Sequence, residues 1–165
     1  MEGCAVGNYT EMFQHFVWAT KRRAPYLVPK VEPLLHDYIR HKCAALRVVV
    51  HALNGMPDHL HLACSLPMTL APSDFMEQVK GGSAHFINHH PDLRNNLQIC
   101  LYWQPGCGAL TYAKSELPRV VAYVDNQKRH HAEGSLWDKL ERCDDGFKSA
   151  GDVGVGDAGD AVARP

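Results

Sequence analysis

The stretch LRVVVHALNGMPDHLHLACSL, residues 46–66, consists of two apolar runs joined by turn-forming residues. Residues 46–53 are rich in β-branched side chains and read as a strand. Asn54-Gly55-Met56-Pro57 is expected to be the turn, because Asn-Gly supplies the positive φ that hairpins need. Residues 58–66 then return as an antiparallel strand. Side chains alternate along a strand, so His59 and His61 project to one face, about 7 Å apart, while Leu60 and Leu62 project to the other. With 11 histidines in 165 residues, about 0.7 His-x-His triplets arise by chance. The pair acquires meaning only if the rest of the chain supplies a partner.

Working outward from this hairpin, MFQHFVWAT (residues 12–20) reads as a first strand ended by Lys21-Arg22-Arg23 and Pro25. Residues 29–46 place Val31, Leu34, Leu35, Tyr38, Ile39 and Leu46 at helical spacing, with Pro33 in the opening turns. Ser73 is expected to cap a second helix through Phe75, Met76 and Val79, interrupted at Gly81-Gly82 before His85, Phe86 and Ile87. LQICLYWQ (residues 97–104) reads as a fourth strand, followed by a tight bend at Gly106-Cys107-Gly108. Ser115 is expected to cap a last helix over residues 116–131, whose buried stripe is Leu117, Val120, Val121 and Val124. The order β-α-β-β-α-β followed by a C-terminal helix is the ferredoxin-like split βαβ arrangement of an α+β protein, built on a central antiparallel sheet.

The 165 residues suit one domain with a substantial core. No apolar run approaches a membrane span, and MEGCAVGNYTEM has neither a basic nor an apolar signal region, so the chain reads as cytosolic. Six cysteines without a C-x-x-C pair read as buried or free thiols. The net charge of −1 is unevenly spread. Residues 144–165 form an acidic Gly/Ala/Asp-rich tail, expected to be disordered, and residues 1–143 form a mildly basic single domain. Basic clusters at Lys21-Arg22-Arg23 and Lys128-Arg129-His130-His131 permit a nucleic-acid partner without requiring one.

The partner sought for the histidines lies on the last helix, SELPRVVAYVDNQKRHH. Tyr123 and Gln127 are four apart and share a face beside the valine stripe. Tyrosine is a covalent nucleophile, and a glutamine amide offers a neutral oxygen to a hard cation. Without such a partnership the pair is a half-buried aromatic and a surface amide.

MPDHLHL after a Val-rich strand, WQPGCGALTY before a helix and YVDNQKRHH within it together resemble the single-tyrosine HUH transposases. These are IS200-like enzymes whose relatives include the REP-associated tyrosine transposases; HUH denotes His-hydrophobic-His, here His59-Leu60-His61. HFVWATKRRAPYL and VKGGSAHFIN are similar to further segments of that family, and the resemblance runs from Phe13 to Glu141. It implies a ferredoxin-like core, Tyr123 as catalytic nucleophile, and a divalent cation, Mg2+ or Mn2+, held by His59, His61 and Gln127. It further implies a homodimer that cleaves single-stranded DNA beside a hairpin or palindrome and rejoins strands through a 5′-phosphotyrosine. A catalytically silent DNA-hairpin-binding protein descended from such an enzyme is the alternative.

Several residues admit two roles. Lys21, Arg22, Arg23, Lys80, Lys128 and Arg129 are candidate phosphate contacts and equally candidate solvated cations. Trp103 reads as core, with base stacking as its second role. His130 and His131 lie on the face of Tyr123 and are either DNA contacts or surface histidines. Asp58 is expected to act in the turn, off the histidine face. Cys107 stands where relatives often carry an aromatic residue. A zinc site of His59, His61 and Cys64 is a third reading, disfavoured because Cys64 faces away from the histidines on a regular strand.

Overall fold

The computed structural model describes residues 9–97 and 100–143. The expected disordered tail lies outside the described residues. The described strands are β1 (Phe13–Ala19), β2 (Val49–Met56), β3 (His59–Ser65) and β4 (Gly108–Tyr112). They form one antiparallel sheet in the order β2-β3-β1-β4, the ferredoxin-like arrangement expected. Helices α1 (Glu32–Ala45) and α2 (Pro72–His89) cover one face. α3 (Pro91–Leu97) follows, and α4 (Leu117–Asp125), α5 (Gln127–Glu133) and α6 (Asp138–Glu141) lie on the opposite face.

Period-two alternation divides the sheet chemically. Phe16, Trp18, Leu53, Leu60, Leu62 and Cys64 enter the large core with Leu35 and Ile39 of α1 and Phe75, Val79 and Ile87 of α2. The other face carries His15, Val17, Ala19, His59, His61 and Ala63; Val17 pairs with His61 and Ala19 with His59. Cys64, in the large core, has its thiol pushed up by burial, which removes it from any cation site shared with His59 and His61.

The hairpin turns later than expected. Asn54, Gly55 and Met56 belong to β2, opposite His61, Leu60 and His59, and only Pro57 and Asp58 form the turn. The turn carbonyls are tied down by Thr20 N–H to Asp58 O (2.8 Å) and Leu27 N–H to Pro57 O (2.9 Å). Gly55 is required for closeness rather than for a left-handed φ, since a Cβ there would lie 2.2 Å from the His59 carbonyl.

Residues 100–104 are not a strand. The Leu101 backbone is held by the Asn88 side chain, whose Oδ1 accepts from Leu101 N–H at 2.6 Å and whose Nδ2 donates to its carbonyl at 3.0 Å. A side chain thereby satisfies groups that a ladder would otherwise need, and the edge position goes to Gly108–Tyr112. Trp103 is core, as expected: its ring meets Trp18 edge-on and its Nε1 donates to Ser83 Oγ at 3.0 Å.

Gly81-Gly82 does not interrupt α2. The Tyr38 hydroxyl of α1 occupies the space where a Cβ of Gly82 would sit, so glycine lets the two helices approach. Packing of the buried stripe Phe75, Met76, Val79, Ser83 and Ile87 outweighs glycine's helix penalty of about 1 kcal/mol. Ala71, not Ser73, is the N-cap, with Pro72 in the first turn.

The last helix breaks at Asn126 (φ −101°, ψ 21°), giving α4 and α5. Asn126 Nδ2 donates to Ala122 O at 2.7 Å and Asn54 Nδ2 to Asp125 O at 2.9 Å, supplying partners for carbonyls at the break. Ser115 lies in a one-turn 3-10 helix before α4 and makes no cap.

Replacing Gly55 with alanine forces the hairpin apart beside His59. The expected outcome is a loss of about 1–3 kcal/mol in urea unfolding, the usual range for overpacking; an unchanged midpoint would contradict this account.

Candidate metal centre and nucleophile

The small residues Val17, Ala19 and Ala63 surround the histidines on the sheet face, leaving room for three buried imidazoles. His59 and His61 are 2 % and 0 % exposed, with ring centroids 5.1 Å apart. Each is oriented through Nδ1. His59 Nδ1 donates to Asp58 Oδ1 at 2.7 Å, which turns Nε2 toward the site. Arg23 steadies Asp58 across 3.4 Å and also donates to Cys143 Sγ at 3.1 Å. Its 3.2 Å approach to His59 Nδ1 brings two donors together and is not a hydrogen bond. His61 Nδ1 lies 3.0 Å from His15 Nε2, within hydrogen-bond reach, so the neighbouring ring fixes its orientation. Burial drives the His15 pKa down to about 3, aided by the neighbouring His61, so His15 stays uncharged. Burial likewise lowers His61.

Opposite the pair stands Glu141 of α6. Its Oε2 lies 3.5 Å from His59 Nε2 and 3.6 Å from His131 Nε2, and its Oε1 lies 3.5 Å from His61 Nε2. Oε1 also accepts the Tyr123 hydroxyl, which accepts in turn from Trp137 N–H at 3.1 Å. Burial opposes ionisation of Glu141, but the imidazoles and the phenol outweigh it and hold the carboxyl at about 2. Tyr123 is buried among Val120, Val124, Ala52 and Ala63. Burial and the Glu141 carboxylate push its phenol up to about 12. Gln127, at the start of α5, is 0 % exposed.

Among the described residues, the Nε2 atoms of His59, His61 and His131 and both amide atoms of Gln127 are buried without a hydrogen-bond partner. One donor atom each from His59, His131 and Glu141 lies within 4.8 Å of the others. Buried imidazole nitrogens without a hydrogen-bond partner, facing a carboxylate, fit a divalent cation, which both kinds of group can ligate.

The structure therefore brings His59, His61 and Tyr123 to one carboxylate, with His131 turned toward it, while Gln127 is buried at the start of α5. His130 stacks on Tyr123 at 4.8 Å. Glu141, His15 and the orienting role of Asp58 are not read from the sequence. Glu141 has one available signal: Trp137, Leu140 and Cys143 around it mark a docked segment. His15 has the alternation of HFVWA.

The candidate phosphate contacts divide. Lys80 Nζ donates to Gln104 O and Gly106 O, each at 2.7 Å, and so fastens the bend before β4. Lys128 pairs with Glu32 at 2.6 Å, and Arg23 is engaged by Asp58 and Cys143. Lys21, Arg22 and Arg129 are exposed. Lys21 stands 6.0 Å from the Tyr102 ring, and Arg129 lines a cavity of about 470 Å³ walled by Tyr123, His130, Trp137 and Arg119.

The domain is thus a small antiparallel sheet on which paired histidines and a helix tyrosine meet one half-buried carboxylate. Residues 8–127 match the family of IS200-like transposases, and the chain belongs to that family. It is 30 % identical over 122 residues to the ISDra2 transposase TnpA of Deinococcus radiodurans, covering 73 % of this chain and 87 % of that protein. A Deinococcus radiodurans crystal structure described as a transposase superposes with a TM-score of 0.55 at 28 % identity, covering 77 % of this chain and 97 % of the other. A REP-associated tyrosine transposase bound to a REP hairpin shares the fold, with a TM-score of 0.55, 17 % identity and coverage of 96 % and 100 %. Among the described residues, no helix is long and apolar enough to cross a membrane.

His15 gives a signed prediction for the metal-free protein. Its pKa is about 3 folded against 6.5 for the ordinary group, so the unfolded chain takes up the proton first as pH falls. Its stabilising contribution is complete above 6.5 and is lost on descending toward 3, by about 1.4 kcal/mol per pH unit. Urea unfolding in EDTA from pH 7.5 to 4.5 should show this slope and a shallower one in His15→Leu. Parallel curves for the two proteins would contradict it.

Proposed function

We propose that this transposase cleaves and rejoins single-stranded DNA through a covalent bond to Tyr123. One observation carries the reading: within a single chain the Tyr123 hydroxyl and the Nε2 atoms of both strand histidines converge on the same carboxylate. The phenol attacks phosphorus, the P–O3′ bond breaks, and the departing 3′ oxygen takes a proton, leaving a 5′-phosphotyrosine. A 3′-hydroxyl then attacks that ester and returns the proton to Tyr123. One phosphodiester replaces another, so neither step needs an external energy source.

His59, His61 and Gln127 are the proposed holders of Mg2+ or Mn2+, which would supply Lewis-acid polarisation of a phosphoryl oxygen. Asp58 and His15 fix the orientation of the two imidazoles. Proton loss from Tyr123 is the demanding step. A carboxylate held at about 2 is a weak base toward a phenol at about 12, so Glu141 orients the hydroxyl rather than deprotonating it. The exposed Lys21, Arg22 and Arg129 are the proposed phosphate contacts, and a DNA hairpin or palindrome and a second copy of the chain are the proposed partners.

Labelled single-stranded DNA carrying the palindromes that flank the gene, incubated with protein and Mn2+ or Mg2+, should give an SDS-resistant protein–DNA adduct. Tyr123→Phe should lower adduct formation by at least about 10³-fold, since removing a nucleophile leaves only binding effects. Hairpin binding without an adduct in the wild type would instead favour the silent binding protein.

A further inference from the structure

We propose that His131 and Glu141 are direct ligands of the cation, so that the C-terminal segment completes a site the strand histidines begin. This rests on the reading that His59 and His61 hold a divalent cation. Both added residues lie beyond residue 127, where the family match ends.

The first support is spacing. The three N···O separations around Glu141 are 3.5, 3.5 and 3.6 Å. They exceed the 2.7–3.2 Å or so of a normal N–H···O bond. Two donors bonded to one cation at about 2.1 Å stand about 3.0 Å apart at a right angle and about 3.4 Å apart at a tetrahedral one. The separations suit shared coordination better than direct hydrogen bonding.

The second is burial. The Nε2 atoms of His59, His61 and His131 are buried without a hydrogen-bond partner, and a carboxylate oxygen of Glu141 faces each of them. Buried polar groups so arranged call for a shared partner, which a cation between them supplies.

The third is that Glu141 is placed by construction. Leu140 is buried with Ala52, Ala63 and Val120, and Cys143 packs with Val17 and Ala19. Gln104 Nε2 donates to the Cys143 carbonyl at 3.1 Å. Gly108 leaves space for the Arg142 carbonyl, which a Cβ would approach to 1.9 Å. His131 is delivered by the break at Asn126 and stands 5.0 Å, ring to ring, from His59.

The two oxygens of Glu141 divide the work. Oε2 faces His59 and His131, while Oε1 faces His61 and accepts from Tyr123. Glu141 is thus a ligand and also a positioning residue for the phenol, tying the nucleophile to the cation.

The test is cation binding by the full chain without DNA: Co2+ titration followed by visible absorption, and Mn2+ titration by calorimetry. His59→Ala, His131→Ala and Glu141→Gln should each weaken binding by at least about tenfold and alter the Co2+ band, a loss at the lower end of that for disturbed metal shells. Circular dichroism checks folding, with His131→Gln as the substitute should His131→Ala not fold. Near-wild-type affinity and an unchanged band in His131→Ala and Glu141→Gln, with binding lost in His59→Ala, would overturn the proposal and leave the underlying reading intact. No Co2+ or Mn2+ binding by the wild type would overturn both.

Discussion

A half-buried carboxylate surrounded by imidazoles is the constraint on which the site depends. Glu141 remains ionised in a half-buried position only because polar groups of three elements meet it: His59 and His61 on β3, Tyr123 on α4, His131 on α5. Burying such groups is unfavourable unless each finds a partner. The sheet keeps its small residues, Val17, Ala19 and Ala63, where the polar cluster needs volume. The face covered by α1 and α2 holds the large apolar side chains Phe16, Trp18, Leu53, Leu60 and Leu62. The two faces of one sheet thus separate stability from chemistry.

Orientation accounts for much of the remaining detail. An imidazole presents one chosen nitrogen only if the other is fixed, and here the fixing groups differ: an aspartate in the Pro57-Asp58 turn for His59, a neutral histidine on β1 for His61. Arg22 and Arg23 both adopt left-handed backbone (φ 59° and 55°), an uncommon conformation for arginine. That turn delivers the Arg23 guanidinium to Asp58 and Cys143, joining the basic triplet to the site's outer shell. Charges that composition alone assigns to DNA are in part structural, as the two carbonyl contacts of Lys80 also show.

Membership in the IS200-like transposases covers the sheet, the histidine pair and the helix as far as Gln127. The C-terminal segment adds chemistry beyond that span. Leu140 and Cys143 anchor it in apolar contacts, and Glu141 between them points to the histidines. A short helix that would be unstable alone is held by its packing against the sheet face and β4.

The sequence by itself determined the split βαβ order and the shared face of His59 and His61, because strand alternation is a local property of the backbone. It also set Tyr123 and Gln127 four residues apart, but the break at Asn126 between them came only with the tertiary structure. Tertiary structure decided what local rules cannot reach. Asn54-Gly55 became strand because the pairing of Met56 with His59 left room for only two turn residues. Residues 100–104 lost their strand to Asn88, and Gly82 stayed helical against Tyr38. His15 and Glu141 met the histidine pair across 46 and 80 residues of chain, a coincidence in space that no spacing rule encodes. Their contacts exist only once the sheet has formed and the C-terminal segment has docked on it.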